Sequence, residues 1–176
     1  MNSPFLLDTS AESWLTREGF DERQEWLRRQ IALQRVRVSA VTVVERVKGY
    51  VALWRKAEPA DQPAIEKARV AYLSAATQIV PLSVEAGVAA GEIMALLPDP
   101  PTPPRRSYRA AESRQERLSR WRFDILIAAT ALVSRMPLVH NNAADFEPIR
   151  GIVERIPSRF PTLGPLDLIR CSTLII

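Results

Sequence analysis

Four acidic residues stand where short apolar segments of the sequence end or where helical patterns begin. They are Asp8 in LLDTS, Glu45 in VSAVTVVER, Asp124 in RFDILIAATAL and Asp145 in HNNAADFEPI. Carboxylates that share one pocket repel each other, and their burial is costly unless a cation neutralises them. Oxygen ligands of this kind suit Mg²⁺ or Mn²⁺ rather than zinc. If the fold gathers these four residues, we expect a divalent-metal site.

Other reactive side chains are few. His140 is the single histidine and Cys171 the single cysteine among the 176 residues. One chain therefore lacks a two-histidine acid–base pair, an internal disulfide, a CxxC redox pair and a cysteine-rich zinc site. The sequence also has no phosphate-binding glycine loop. Any chemistry must come mainly from carboxylates, hydroxyls and arginines.

Short apolar segments alternate with helical patterns, which predicts βα units and a mostly parallel sheet. The predicted strands cover residues 5–7, 36–40, 79–81 and 137–139. The predicted helices cover residues 21–33, 42–54, 61–78, 83–97, 123–134 and 142–152. In an open α/β sheet, ligands gather at the carboxyl ends of the strands, beside the helix N-termini. All four acids map to that edge.

Each acid also has an ordinary structural explanation. Glu45 follows Thr42 at the spacing of a capping box, and Asp145 follows Asn142 in a similar pattern. Asp124 fits the N-cap of a helix, and Asp8 fits an Asx turn. Capping explains where each acid lies along its helix, but it does not explain why all four converge on one edge.

The composition is typical of one globular domain, with 47% hydrophobic and 25% charged residues. We expect a single domain over residues 1–176, with a proline-rich loop at 98–107 and an apolar tail at 160–176 that the pattern does not place. The N-terminus lacks the basic segment of a signal peptide, and the longest uncharged stretch, residues 70–84, is shorter than the roughly 20 apolar residues of a membrane span. We therefore expect a cytoplasmic protein without a membrane partner.

Basic charge is concentrated between residues 105 and 122. This segment holds seven arginines and two glutamates, a net charge of +5, whereas the whole chain carries +4. Such a concentration predicts contact with RNA phosphates, with Tyr108 and Trp121 available to stack on bases. The alternative is a solvated helix face with a Glu116–Arg120 pair. The arginines assigned to RNA binding are Arg106, Arg109, Arg114, Arg117 and Arg120.

The four acidic motifs together resemble the PIN-domain family, and in particular the VapC-like ribonuclease toxins of bacterial toxin–antitoxin pairs. The resemblance covers about residues 5–155 and is most specific between residues 124 and 149. It implies a Rossmann-like three-layer α/β/α sandwich with a central, mostly parallel sheet, and an acidic site that hydrolyses RNA with Mg²⁺ or Mn²⁺. Carried over by position, the catalytic and metal-binding residues are Asp8, Glu45, Asp124 and Asp145, with Ser10 and Asn142 in support.

Two departures from the family pattern lie beside the last acid. His140 stands where the family usually has Thr or Ser, and Asn141-Asn142 replaces a pairing of a basic residue with Asn. His140 would either contact a phosphate or hydrogen-bond to backbone at the end of a strand. Neither departure removes a carboxylate, so the catalytic interpretation stands. Asp124 and Asp145 are both candidates for the general base.

The predicted function is a metal-dependent endoribonuclease that serves as the toxin of a type II toxin–antitoxin system. The predicted partners are an RNA substrate, an antitoxin protein and a second copy of the chain in a homodimer. Two other hypotheses stay open: a non-catalytic PIN-like module that binds RNA or protein, and a metal-binding regulator outside the nuclease class.

Overall fold

The structure is a computed structural model. It describes residues 3–16, 22–75, 78–101, 112–155 and 165–170. Most of the predicted proline-rich loop and of the apolar tail lies outside the described residues, as do Arg106, Tyr108 and Arg109. Within the described ranges, no helix is both long enough and apolar enough to cross a membrane.

A five-stranded sheet forms the centre of the described structure, and every strand pair in it is parallel. The strand order is β3-β2-β1-β4-β5. The first strand along the chain therefore lies in the middle, with later strands added on both sides. The strands are β1 (Phe5–Leu7), β2 (Val36–Ser39), β3 (Ile79–Val80), β4 (Leu138–His140) and β5 (Leu168–Arg170).

Seven α-helices connect these strands in the described part of the chain, and a short 3-10 helix, Ser13–Thr16, follows the first. Parallel strands need such crossover connections, which here consist of one or more helices. The helices are α1 (Thr9–Glu12), α2 (Glu22–Ala32), α3 (Ala40–Lys56), α4 (Gln62–Ala75), α5 (Val84–Leu96), α6 (Arg114–Val133) and α7 (Ala143–Arg155).

Side chains of the central strands alternate between two hydrophobic cores because successive residues of a strand point to opposite faces. Leu6 and Leu138 pack with apolar residues of α5, α6 and α7. Phe5, Leu7 and Val139 pack on the other face with residues of α1 and α2. Helices therefore cover both faces of the sheet. The predicted three-layer α/β/α sandwich with a parallel sheet is confirmed.

Helix α6 begins nine residues before the predicted boundary at residue 123. Ser113 is its N-cap, and Ser113 and Glu116 form a capping box in which each side chain bonds to the backbone N–H of the other residue. No proline or glycine interrupts residues 114–133, so the basic segment and the apolar segment continue as one helix. The sequence interpretation divided them because their polarity differs, although polarity alone does not end a helix.

Strand β5 was not predicted. It adds to the edge of the sheet beside β4, with Leu138 opposite Leu168 and Val139 opposite Ile169. Its three residues follow a segment of mixed composition and carry no alternation long enough to indicate a strand. Pairing with β4 supplies the hydrogen-bond partners that make this segment a strand.

Candidate functional site

Asp8 lies at the end of β1 and forms the N-cap of α1. Its carboxylate accepts hydrogen bonds from the backbone N–H of Ala11 at 2.6 Å and from the hydroxyl of Ser10 at 2.7 Å. Asp8 therefore caps a helix, where the sequence pattern had suggested an Asx turn. The pKa of Asp8 is raised to about 7, chiefly by burial and to a lesser extent by the charge of Glu45, while the hydrogen bonds from Ala11 and Ser10 oppose the change. A carboxylate that served only as a cap would gain nothing from this burial.

Glu45 lies in the second turn of α3 and not in a capping box. The cap of α3 is Ser39, whose hydroxyl accepts from the N–H of Thr42 at 2.9 Å, so the predicted Thr42–Glu45 box is wrong. Glu45 is half-buried and accepts a hydrogen bond from the hydroxyl of Thr9. Burial raises the pKa of Glu45, while the bond from Thr9 lowers it. The carboxylate is thus held by a residue of α1, beside Asp8.

Asp124 lies in the middle of α6, so the predicted role of helix N-cap is wrong. Its side chain is buried, and within the described ranges its Oδ2 atom has no hydrogen-bond partner. Burial raises the pKa of Asp124 well above its ordinary value, and the charges of three other acids raise it further. Those acids are, in order of effect, Asp145, Asp8 and Glu45.

Asp145 lies in the first turn of α7, where a negative charge is favoured by the helix dipole. Its side chain is buried and accepts a hydrogen bond from the side-chain amide of Asn142. The backbone N–H of Asp145 donates to the carbonyl of Asn142 at 3.3 Å. These bonds hold the carboxylate of Asp145 in place, but they differ from the predicted capping-box pattern, in which each side chain would bond to the backbone N–H of the other residue.

Ser10 links the loops that follow β1 and β4. Its hydroxyl donates to Asp8 at 2.7 Å and accepts from the backbone N–H of Asn141 at 3.2 Å. Asn141 is adjacent to Asn142, which holds Asp145. One hydroxyl therefore connects Asp8, at the end of β1, with the segment between β4 and α7 that leads to Asp145.

The four acids lie in one region at the carboxyl edge of the sheet. Their proximity is seen in the pKa of Asp124, which the charges of Asp145, Asp8 and Glu45 all raise. They do not form a closed coordination sphere: among the described residues, no three His, Cys, Asp or Glu side chains are grouped so that they could hold an ion. The donor set itself fits Mg²⁺ or Mn²⁺, since every donor is a carboxylate and the buried Oδ2 atom of Asp124 is available as a ligand.

His140 is fully buried at the end of β4. Its Nδ1 atom accepts from the backbone N–H of Asn142 at 3.2 Å, and its ring lies 5.2 Å from the ring of Phe146, centroid to centroid. Burial lowers the pKa of His140 to about 4, so the ring is neutral at pH 7. The expected hydrogen bond to backbone is confirmed, and the alternative contact with a phosphate would require exposure that this side chain lacks.

Three described arginines of the basic segment contact acidic residues or a carbonyl group. Arg120 donates through both terminal nitrogens to the carboxylate of Glu112 at 2.5 Å, and Arg117 donates to the backbone carbonyl of Glu112 at 2.7 Å. Arg114 pairs with Asp99 at 3.0 Å on the surface. Arg120 therefore pairs with Glu112 where the alternative had proposed Glu116, which caps α6.

The expected stacking of bases on Trp121 is wrong. Its ring is buried in the core, and its indole N–H donates to the carbonyl of Leu97 at 3.1 Å. A residue three or four positions from a buried apolar residue on the same helix lies on the same face. Trp121 is four residues before the fully buried Ile125, which is the signal that would have placed it inside.

A groove of about 540 Å³ opens beside Glu45 between α3 and α6. Its cations are Lys48 and Arg120, which both lower the pKa of Glu45. The ammonium of Lys48 lies 5.8 Å from the ring centroid of Phe123, which also lines the groove. The sequence interpretation missed Lys48, although its position three residues after Glu45 places both side chains on one face of α3.

The family model of the PIN domain matches residues 5–151 of the sequence. This match spans most of the chain and includes all four acids, Ser10 and Asn142. The chain belongs to the PIN domain family, which confirms the resemblance. Among curated proteins, none matches the sequence significantly.

Solved structures similar to this fold include VapBC of Salmonella typhimurium bound to DNA, with a TM-score of 0.57 and 16% identity over 96% of this chain and 98% of that chain. VapBC2 of Rickettsia felis, bound to a promoter DNA fragment, gives a TM-score of 0.55 and 16% identity over 94% and 97%. FitAcB of Neisseria gonorrhoeae gives a TM-score of 0.56 and 21% identity over 82% of this chain and 92% of that chain. At these identities the similarity establishes the fold.

Proposed function

We propose that the protein is a metal-dependent endoribonuclease and the toxin of a type II toxin–antitoxin system. The observation that carries the proposal is the group of acids around Asp124. Burial of a carboxylate whose neighbours are other carboxylates is costly, and clusters of this kind are characteristic of sites that bind cations or transfer protons. The PIN domain match adds a family whose members are generally nucleases.

The residues that would hold Mg²⁺ or Mn²⁺ are Asp8, Glu45, Asp124 and Asp145. Such an ion, when bound, supplies positive charge that offsets the repulsion among the acids and the negative charge that develops on a phosphate. Ser10 and Asn142 keep the carboxylates of Asp8 and Asp145 in their orientations through hydrogen bonds.

A carboxylate must also accept a proton from the attacking water. The candidates for this role are Asp124 and Asp145, and a raised pKa makes the carboxylate of Asp124 a stronger proton acceptor. Water would attack the phosphorus, the bond from phosphorus to O3′ would break, and O3′ would take a proton from solvent, so the products would carry a 5′-phosphate and a 3′-hydroxyl.

The substrate would lie in the groove beside Glu45, where Lys48 can contact a phosphate. The arginines proposed for RNA binding are Arg106, Arg109, Arg114, Arg117 and Arg120, of which Arg120 lines this groove. Arg120 and Arg117 now contact Glu112, so their approach to RNA would exchange one anion for another. Contacts of this kind position the strand and add little sequence selectivity.

The proposed protein partner is an antitoxin, since the sequence resembles VapC-like toxins and two of the similar structures are of VapBC. A second copy of the chain is the other proposed partner. Action on cellular RNA would take place in the cytoplasm.

Cleavage of a labelled RNA in Mg²⁺ or Mn²⁺ tests the proposal. Asp8→Asn, Glu45→Gln and Asp124→Asn should each reduce the rate by at least about 100-fold, the scale on which loss of one preorganised charge-stabilising group acts in other enzymes. Asp61→Asn, which neutralises an exposed acid, is the matched control. Cleavage that persists in EDTA or in all three variants would remove the nuclease mechanism.

Growth measurements test the toxin assignment separately. Expression of the wild-type chain alone should arrest bacterial growth, and expression of Asp8→Asn to the same level should not. The alternative of a non-catalytic module draws support from the lack of a closed coordination sphere among the described residues. Equal growth of both strains, together with RNA binding without cleavage, would favour that alternative.

A further inference from the structure

A largely buried ion pair joins α1 to α3, one helical turn along α1 from the contact between Thr9 and Glu45. The Nε atom of Arg46 lies 3.0 Å from Oε2 of Glu12, and their side chains are only 19% and 6% exposed. Two aromatic rings enclose the guanidinium, whose carbon lies 5.8 Å from the ring centroid of Tyr50 and 5.5 Å from that of Tyr72. Residues of three helices thus meet around Arg46.

This ion pair lies beside the contact that orients Glu45. Thr9 and Glu12 are three residues apart and share one face of α1, while Glu45 and Arg46 are consecutive in α3. Thr9 donates to Glu45 and Glu12 pairs with Arg46, so the two helices are joined at two adjacent points. Because α1 begins at Asp8, these contacts also relate Glu45 to Asp8.

Two attachment points restrict α3 more strongly than one. A single hydrogen bond from Thr9 leaves the flexible side chain of Glu45 with several rotamers. The rigid planar guanidinium of Arg46, held by Glu12 and by two aromatic faces, fixes the next residue of α3 against α1 and so limits the movement of Glu45 relative to Thr9. Stability alone does not account for the ion pair, since well-packed apolar residues often replace a buried ion pair without loss.

We propose that Glu12 is a positioning residue that acts through Arg46 to hold the carboxylate of Glu45 in the acidic site. The chemical consequence of this role rests on the proposed nuclease function, whereas the structural role does not. Tyr50 and Tyr72 serve as the walls that keep the Arg46 guanidinium in one orientation. Loss of the ion pair leaves the fold intact and releases Glu45 from its contact with Thr9.

The double variant Glu12→Leu/Arg46→Met tests this role, because it removes the ion pair without leaving an unpaired buried charge. The control is Glu66→Leu/Arg69→Met, which removes an exposed pair of α4 by the same substitutions. Crystal structures of the wild type and both variants should show Glu45 bonded to Thr9 in the wild type and the control, and displaced or in several conformers in the test variant. An unchanged Glu45 in a folded test variant overturns the proposal.

Two solution measurements extend the test. Mn²⁺ affinity by calorimetry should fall about 10- to 100-fold in the test variant, as is typical when a residue that orients a metal ligand is lost. In RNA cleavage, kcat should fall on the same scale while KM stays within about twofold, because the interaction is made with the site and not with the strand. Arg46→Lys, which keeps the charge but not the planar contact with the tyrosines, should restore part of both losses relative to Arg46→Met.

The outcomes separate this proposal from the proposed function. A wild type that does not cleave RNA would count against the nuclease, while the position of Glu45 in the three crystal structures would still decide the role of Glu12. If the double variant does not fold, Glu12→Gln, which keeps the length and one oxygen of the side chain, is judged by the same position of Glu45. Wild-type Mn²⁺ affinity and cleavage in whichever variant folds would contradict the proposal.

Discussion

Two kinds of buried carboxylate lie at the two ends of α1. The contrast between them distinguishes an acid with a structural role from the acids of the candidate site. Burial is the largest cause of a raised pKa for Glu12 at one end of α1 and for Asp8 and Asp124 at the other. For Glu12 the next effect is the positive charge of Arg46, which lowers the pKa. For Asp124 the next three effects are negative charges, which raise it. Glu12 thus has a counterion beside it, whereas the three acids around Asp124 affect its pKa more than the single positive charge of Arg120.

The difference indicates which buried charges lower the stability of the folded protein. A buried charge with its own counterion needs no ligand, whereas buried charges that repel each other lower stability until a cation arrives. Glu45 is intermediate, because burial raises its pKa while Thr9, Lys48 and Arg120 lower it. The packing of the protein alone does not explain why several carboxylates are buried beside each other. Unfavourable local arrangements of this kind tend to lie at functional sites.

The largest expected effect comes from breaking the compensated pair. Glu12→Ala leaves the buried Arg46 without its carboxylate, and we expect a loss of about 3–5 kcal/mol in the free energy of unfolding. Urea denaturation without divalent metal measures it. Glu66→Ala, which breaks an exposed pair with Arg69, should cost far less. Similar losses in both variants would remove the contrast.

The next effect has the opposite sign, since Asp8→Asn removes a carboxylate whose charged form is disfavoured by burial. Asp8 in the folded protein has a pKa of about 7, compared with 3.8 for an ordinary carboxyl, so the folded state holds its proton over a range in which the unfolded state has lost it. Its contribution to stability is therefore complete below pH 4 and is lost as the pH rises through 7.

The variant should accordingly match the wild type near pH 4 and exceed it by about 2–4 kcal/mol at pH 8 without metal, since a tenfold change in proton affinity is worth about 1.4 kcal/mol. Thermal unfolding of both proteins across this pH range gives the difference. Asp61→Asn, at an exposed position, serves as the control. A gap that is constant with pH, or one that widens towards acid, would show that burial does not disfavour the charged form of Asp8.

The smallest expected effect concerns Lys48, one of the cations that lower the pKa of Glu45. Lys48→Gln removes one cation from the groove beside it, and the dependence of log K for single-stranded RNA on log salt should lose about 0.7 of its slope. Binding is measured in Ca²⁺ to suppress cleavage. Lys67→Gln removes an exposed lysine of α4 as the control. Equal slopes for both variants would indicate that Lys48 faces the groove without contacting RNA.

Several features of the site follow from short stretches of sequence. Asp8 and Asp145 come within a few residues of buried strands, and their neighbours Ser10 and Asn142 bond to them over separations of two and three residues. Such contacts depend on local backbone conformation, which turn and cap residues specify. The apolar segment Phe5-Leu6-Leu7 likewise predicts a buried strand without knowledge of the rest of the chain. The sequence by itself therefore determined the parallel α/β architecture and the edge that carries the acids.

Tertiary structure decided how those acids are held. Thr9 bonds to Glu45 across 36 residues, and Glu12 pairs with Arg46 across a similar separation. Sequence periodicity places each residue on a face of its own helix, but it does not say which other helix that face meets. The continuity of α6, the burial of Trp121 and the pairing of β5 with β4 depended on packing in the same way. Compensation of a buried charge is a property of the distance between two helices, and that distance is set only when the whole core has formed.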